Sequence, residues 1–292
     1  MIYLRPSAAP WQLRQEDLVP ELSASGEPLE KLTLREDERI IAYAAVFKTS
    51  ANTCALVFRM EKEETSKLLL HALSIAANYV IRRYHPDKIR TFSTDPRIKR
   101  IAPDALFYPK GRVFIREVEP WRYKISDECF DQEGYIIHQG LMKPLPFGWF
   151  STKDKGCGWI AAYNLLKLAG REQTMQETAE GLSRWGLAGE YFGENFFLLV
   201  FYLFRKGLSV KTAYGKKASI ALMKKTKYGI LLYSHPTGSH YSAYRVRSDG
   251  SCYFYNVIYG RSGYVQNPES FFKKHGKGWK AMLVGVPRVV VK

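Results

Sequence analysis

The chain has 292 residues and a net charge of +16, from 44 Lys or Arg against 28 Asp or Glu. A hydrophobic fraction of 46% excludes a disordered chain, and the length favours two domains that each bury a core. Four scattered cysteines (Cys54, Cys129, Cys157 and Cys252) show neither a CxxC pair nor a neighbouring histidine cluster, which argues against a disulfide scaffold or a zinc site.

No metal or cofactor is therefore expected, and the cysteine usage suits a reducing compartment. The opening Met1-Ile2-Tyr3-Leu4-Arg5-Pro6 does not read as a signal peptide. The longest strongly apolar run, Phe196 to Phe204, is too short to span a bilayer. A cytoplasmic protein with no membrane span is the expectation.

In chain order, residues 1–36 carry Pro and Ser-Gly punctuation and read as a lead-in with little regular structure. Ile40–Phe47 predicts a strand, Thr49–Asn52 a turn and Cys54–Arg59 the returning strand. Glu63–Tyr84 predicts a long helix, with Leu68, Leu69, Ala72, Leu73, Ala76, Val80 and Ile81 recurring at spacings of three and four, and Pro86 closes it. Ile89–Ser93 and Arg112–Val118 read as further strands, with a helical turn at Pro96–Ala102 between them. A domain boundary is placed near 125, giving an α/β domain over 1–125 and a second domain over 126–292.

The second domain opens on Gly156-Cys157-Gly158-Trp159 and a helix running to Ala169, closed by Gly170. Only Asn164 and Lys167 are strongly polar in that run, so the helix should be buried. Cys157 then stands at a helix N-terminus, where the dipole favours a thiolate. Helices are expected at Thr174–Trp185, with Thr174 and Glu177 as a capping box, at Glu194–Lys206 and at Ser219–Lys225. Strands follow at Gly229–Tyr233, His240–Arg247, Cys252–Ile258 and Ala281–Val291, which makes an α+β domain with helices on an antiparallel sheet.

Pairing of the middle two strands through Ser248–Ser251 would bring His240 near Asn256. A thiol nucleophile needs a base for its proton, and the base needs a side-chain oxygen to hold its ring. Cys157, His240 and Asn256 supply these three parts.

Residues from about 135 to 290 resemble papain-like cysteine peptidases, in the compact branch that includes bacteriocin-leader peptidases. The resemblance rests on Gly156-Cys157-Gly158, Gly207-Leu208-Ser209-Val210, Gly229–Tyr233, Ser239-His240-Tyr241, Tyr255-Asn256 and the closing Phe271-Phe272 with Gly278–Val284. It implies a papain-like fold, with Cys157 as nucleophile, His240 as general base and Asn256 as orienting residue. The compact branch usually has Asp at the position of Asn256, although other papain-like enzymes use Asn. It also places a glutamine six residues before the cysteine as an oxyanion donor, where this chain has Ser151. Ser151, Thr152 or the more distant Gln139 are candidates for that role, beside the Cys157 backbone N–H.

The strand–strand–helix–strand order of the first domain resembles the GNAT acetyltransferase core. Those enzymes cradle the coenzyme A pyrophosphate on a Gly-rich loop. This chain has Arg59-Met60-Glu61-Lys62-Glu63-Glu64-Thr65 there, with no glycine and three carboxylates. The resemblance thus implies an accessory or substrate-recruiting domain that does not bind the coenzyme.

Residues 201–292 hold 17 Lys or Arg and only two acids, Asp249 and Glu269, so nearly all of the excess charge lies there. An acidic peptide or protein substrate is the partner this favours. Nucleic acid is disfavoured, because the aromatics alternate along apparent core strands instead of forming a stacking platform. Three functional readings remain: a cysteine peptidase, an acyltransferase, transglutaminase-like enzyme or peptide ligase with the same triad, and a non-enzymatic binding module with a basic surface.

Overall fold

A computed structural model describes residues 2–7, 27–60, 65–93, 95–148, 150–185, 195–257, 264–278 and 280–287. The chain divides into two compact units. One is Met1–Tyr123 with Gln132–Gly134, and the other is Lys124–Asp131 with Tyr135–Lys292. Both helices and sheets are present, so the class is mixed α+β.

In the first unit the elements run β1 (Ile2–Pro6), β2 (Glu30–Glu36), β3 (Arg39–Ser50), β4 (Thr53–Met60), α1 (Ser66–Tyr84), β5 (Lys88–Phe92), α2 (Pro96–Ile101), β6 (Tyr108–Lys110) and β7 (Val113–Glu117). The described strands form one sheet in the order β1-β2-β3-β4-β5-β7-β6. β1 to β4 are antiparallel neighbours, and α1 carries the chain across so that β5 lies parallel to β4. Thr65 caps α1 by accepting the Leu68 N–H, and His85 ends it in the left-handed conformation at φ 48°. Leu69, Ala72, Leu73, Ala76 and Val80 of α1 are buried in one core cluster with Leu32, Leu34, Leu56 and Phe58 of the sheet.

Two strands stand where the sequence reads as an irregular lead-in. In β2 Leu32, Thr33 and Leu34 are all buried, while Lys31 and Arg35 at either side are less covered. Pairing with β3, which is remote from local signals, organises this stretch. The rest of that lead-in, residues 8–26, and the acidic junction Glu61–Glu64 lie outside the described residues.

The second unit contains β8 (Pro146–Phe147), β9 (Phe150–Ser151), α3 (Thr152–Lys155), α4 (Cys157–Leu168), α5 (Met175–Trp185), α6 (Phe196–Arg205), β10 (Lys211–Tyr214), α7 (Lys216–Lys225), β11 (Thr226–His235), β12 (Gly238–Val246), β13 (Cys252–Tyr255), β14 (Tyr264–Gln266), α8 (Pro268–Lys274) and β15 (Ala281–Pro287). An antiparallel sheet in the order β10-β15-β11-β12-β13-β14 forms its centre. α4 packs across β12 and β11, and α7 against β15, β11 and β10. From its second residue to Leu168, α4 is buried throughout, as its apolar sequence requires. Its Lys167 is buried too, with Nζ 2.8 Å from Glu172 Oε1 and 5.6 Å from the centre of the Tyr135 ring. The box on α5 is reciprocal: Thr174 Oγ1 accepts the Glu177 N–H at 3.0 Å, and Glu177 Oε2 accepts the Thr174 N–H at 2.9 Å.

Two strand ends differ from expectation in ways that shape the site. β12 starts at Gly238, paired with His235 across the Pro236-Thr237 loop, so His240 lies inside the strand and opposite Tyr233. β13 stops at Tyr255, because Asn256 takes φ 51° and leaves the extended region. Asparagine tolerates that left-handed conformation better than most residues.

Candidate active site

Gly156 joins α3 to α4 through a turn that a larger residue would not fit. A Cβ there would lie 2.6 Å from Thr152 O and 2.8 Å from Trp159 Nε1. This junction places Cys157 as the first residue of α4, partly exposed, whereas Cys54, Cys129 and Cys252 are buried.

His240 is buried on β12, the strand against which α4 packs. Its Nε2 is 2.6 Å from the Asn256 carbonyl oxygen. A carbonyl only accepts, so Nε2 carries the hydrogen, and a neutral ring keeps its lone pair on Nδ1. Burial drives the imidazole toward the neutral form. It pushes the pKa down to about 4, against the Asn256 hydrogen bond that raises it, while a charge on His235 would lower it further. The Tyr233 ring stands edge-on to the imidazole, with centroids 5.9 Å apart.

Asn256 thus meets the histidine through its backbone instead of through its side chain, as the sequence reading had it. The side chain is turned to Gln139. Asn256 Oδ1 accepts the Gln139 backbone N–H at 2.9 Å, and Asn256 Nδ2 donates to Gln139 Oε1 at 3.0 Å. Gln139 Nε2 in turn donates to the carbonyls of Thr152 and Lys153, each at 2.9 Å. The Thr152 carbonyl also accepts the Gly156 N–H at 2.8 Å. A continuous buried network therefore runs from the His240 ring through Asn256 and Gln139 to the turn that delivers Cys157.

The structure engages or buries the three side chains that the sequence offers as second oxyanion donors. The Gln139 amide hydrogens are used by Thr152 and Lys153. The Ser151 hydroxyl donates to Asp154 Oδ2 at 2.6 Å. Both are committed within the protein. Thr152 is fully buried. The bridging position of Gln139 had no sequence signal, because it sits in a single 3-10 turn, Gln139–Leu141, and its partner Asn256 is 117 residues away.

His235 was not singled out in the sequence. It stands at the tip of the β11–β12 hairpin, on the same sheet face as His240 by strand alternation. Its Nδ1 accepts the Thr237 backbone N–H at 3.3 Å, and burial lowers its pKa.

Among the described residues no group of three or more His, Cys, Asp or Glu could hold a metal ion. No helix among them is long and apolar enough to cross a membrane. Comparison of the chain with protein-family models and with curated proteins found no match.

Proposed function

We propose that the second unit is a papain-like thiol acyl-transfer enzyme whose reaction is hydrolysis of a peptide or amide bond. The observation that carries this reading is the Nε2–H···O=C bond from His240 to Asn256, which leaves Nδ1 as the basic nitrogen. In the first step the Cys157 thiol gives its proton to Nδ1 while Sγ attacks the carbonyl carbon. The C–N bond then breaks, the leaving amine takes the proton from His240, and an acyl thioester remains on Cys157. Water attacks the thioester with its proton passing to the imidazole, and the thiol is restored as the acid departs.

Asn256 has a twofold role in this mechanism. Its carbonyl fixes the ring and faces the imidazolium formed in each half-reaction, and its side chain binds the Gln139 bridge. The low pKa of His240 supports a resting state of thiol and neutral imidazole, not a standing thiolate–imidazolium pair. The first unit, with β4 parallel to β5 across α1, suits the GNAT-like accessory role that its sequence suggests.

Acyl transfer to an amine would use the same residues and differ only in which molecule reaches the thioester. The test is intact mass after incubation with acidic and neutral peptide pools. An acyl adduct on wild-type protein, absent in Cys157→Ala, supports the reading. Free acid products indicate hydrolysis, and amine-linked products indicate transfer. No adduct and no product with any pool would leave the binding-module reading in its place.

A further inference from the structure

Helix α6 carries a partly exposed aromatic stripe. Phe196, Leu199, Tyr202 and Leu203 are buried, as expected for a helix with one face on a core. Away from that face, Phe197, Phe201 and Phe204 recur at spacings of four and three, and they are 59%, 43% and 66% exposed. Tyr214, at the end of β10, extends the stripe. Its side chain is 51% exposed, and its ring centroid is 6.1 Å from that of Phe197. Single exposed apolar residues are ordinary, whereas a contiguous aromatic ridge marks an interaction surface.

Lys216 and Lys217, two and three residues after Tyr214 at the start of α7, are exposed. From Asn195 to Ser248 the sequence contains no Asp or Glu. Two copies of this face would bring like charges together, which argues against self-association. A peptide partner docks an apolar helix face in a groove, and here the aromatics form a ridge. A ridge of Phe and Tyr with lysines beside it suits a lipid interface, where rings enter the headgroup–acyl boundary and ammonium groups meet phosphates.

We propose that α6 and β10 form a peripheral, reversible docking site for an anionic lipid surface. Phe197, Phe201, Phe204 and Tyr214 enter the boundary region, and Lys216 and Lys217 contact the headgroup phosphates. The site is independent of Cys157 and of the acyl-transfer reading.

Co-sedimentation of the full chain with vesicles tests this, using phosphatidylcholine alone and phosphatidylcholine mixed with phosphatidylglycerol. Binding to the mixed vesicles and not to the neutral ones is expected, with weakening as salt rises. The F197S/F204S double variant should bind at least roughly tenfold more weakly. Each of K216Q and K217Q should cost up to roughly fivefold. Y108S, at an exposed aromatic of the first unit, should bind as wild type does. No binding to the mixed vesicles overturns the proposal, as does unchanged binding by all the Phe and Lys variants. Vesicle binding that is unchanged in F197S/F204S, with loss of affinity for a synthetic acidic peptide, also overturns it and gives the face to a protein partner. The Lys variants keep the proposal testable if the Phe pair disturbs folding.

Discussion

Gln139 and Asn256, far apart in sequence, hold each other by two hydrogen bonds, from the Gln139 N–H to Asn256 Oδ1 and from Asn256 Nδ2 to Gln139 Oε1. Gln139→Ala should remove the second bond and leave Asn256 Nδ2 buried without a partner, while the Thr152 carbonyl keeps the Gly156 N–H and the Lys153 carbonyl is partly exposed. Each buried polar group left without a partner costs about 1–3 kcal/mol. We expect a loss in that range in urea unfolding, together with reduced activity although Gln139 Nε2 is not available to a substrate. Unchanged stability would show that water replaces the amide.

Asn256→Asp should be damaging, although it keeps the shape of the side chain. A carboxylate cannot donate to Gln139 Oε1. Turning the glutamine amide over would instead aim Oε1 at the Thr152 and Lys153 carbonyls. The expected cost is about 1–3 kcal/mol. Gln139→Glu in the same chain should not restore it, since two carboxylates would then face each other. Asn256→Gly should keep the left-handed turn but lose the bridge, and Asn256→Ala should in addition strain the backbone. Ranking the three by thermal unfolding separates the roles of backbone and side chain.

His240 gives stability a pH dependence of definite sign. Its folded pKa of about 4 lies below the ordinary value of 6.5, so the unfolded chain takes up the proton first. The associated stability is complete above 6.5 and is lost as pH falls toward 4, on the order of a few kcal/mol in all. The slope should shrink in His240→Gln, with His235→Gln as the comparison because burial shifts His235 the same way. In the catalytic reading, the acid limb of kcat/KM should fall well below pH 6.5. An acid limb at or above the ordinary histidine value would contradict the buried, neutral ring.

Cys157 is partly exposed and the other three cysteines are buried. Iodoacetamide should therefore label Cys157 first, and burial pushes the Cys54 thiol up and slows it further. Exposure alone would give this order. The informative variant is His240→Ala, which should slow Cys157 labelling near neutral pH if the imidazole takes its proton. Equal rates in wild type and variant would disconnect the two residues.

The basic excess of the second unit should favour acidic substrates. Lys224 is paired with Glu269 at 2.6 Å, while Lys225, Lys227, Lys273 and Lys274 are exposed. Exposed charges are screened over roughly 8 Å at physiological salt. The preference should therefore appear in kcat/KM at low salt and fade as salt rises, with kcat little changed. Peptides matched except for Asp and Glu content provide the measurement, and equal kcat/KM for both at every salt would reduce the charge to solubility.

Local patterns determined much of this protein. The apolar run after Cys157 specified a buried helix, because no face of it is polar enough for water. Thr174 and Glu177 specified the start of α5, since a capping box is closed by neighbours in the chain. The strands around His240 and Cys252 followed from alternation and turn residues, both short-range signals. The tertiary structure decided what those signals do not reach. β2 needed β3 beside it before its leucines had a core to enter. The exit of Asn256 from β13 depends on a backbone angle that sequence permits without requiring. Above all, Gln139 became the bridge only through partners at Thr152, Lys153 and Asn256, because a buried amide is defined by the groups that satisfy it and those came together only on folding.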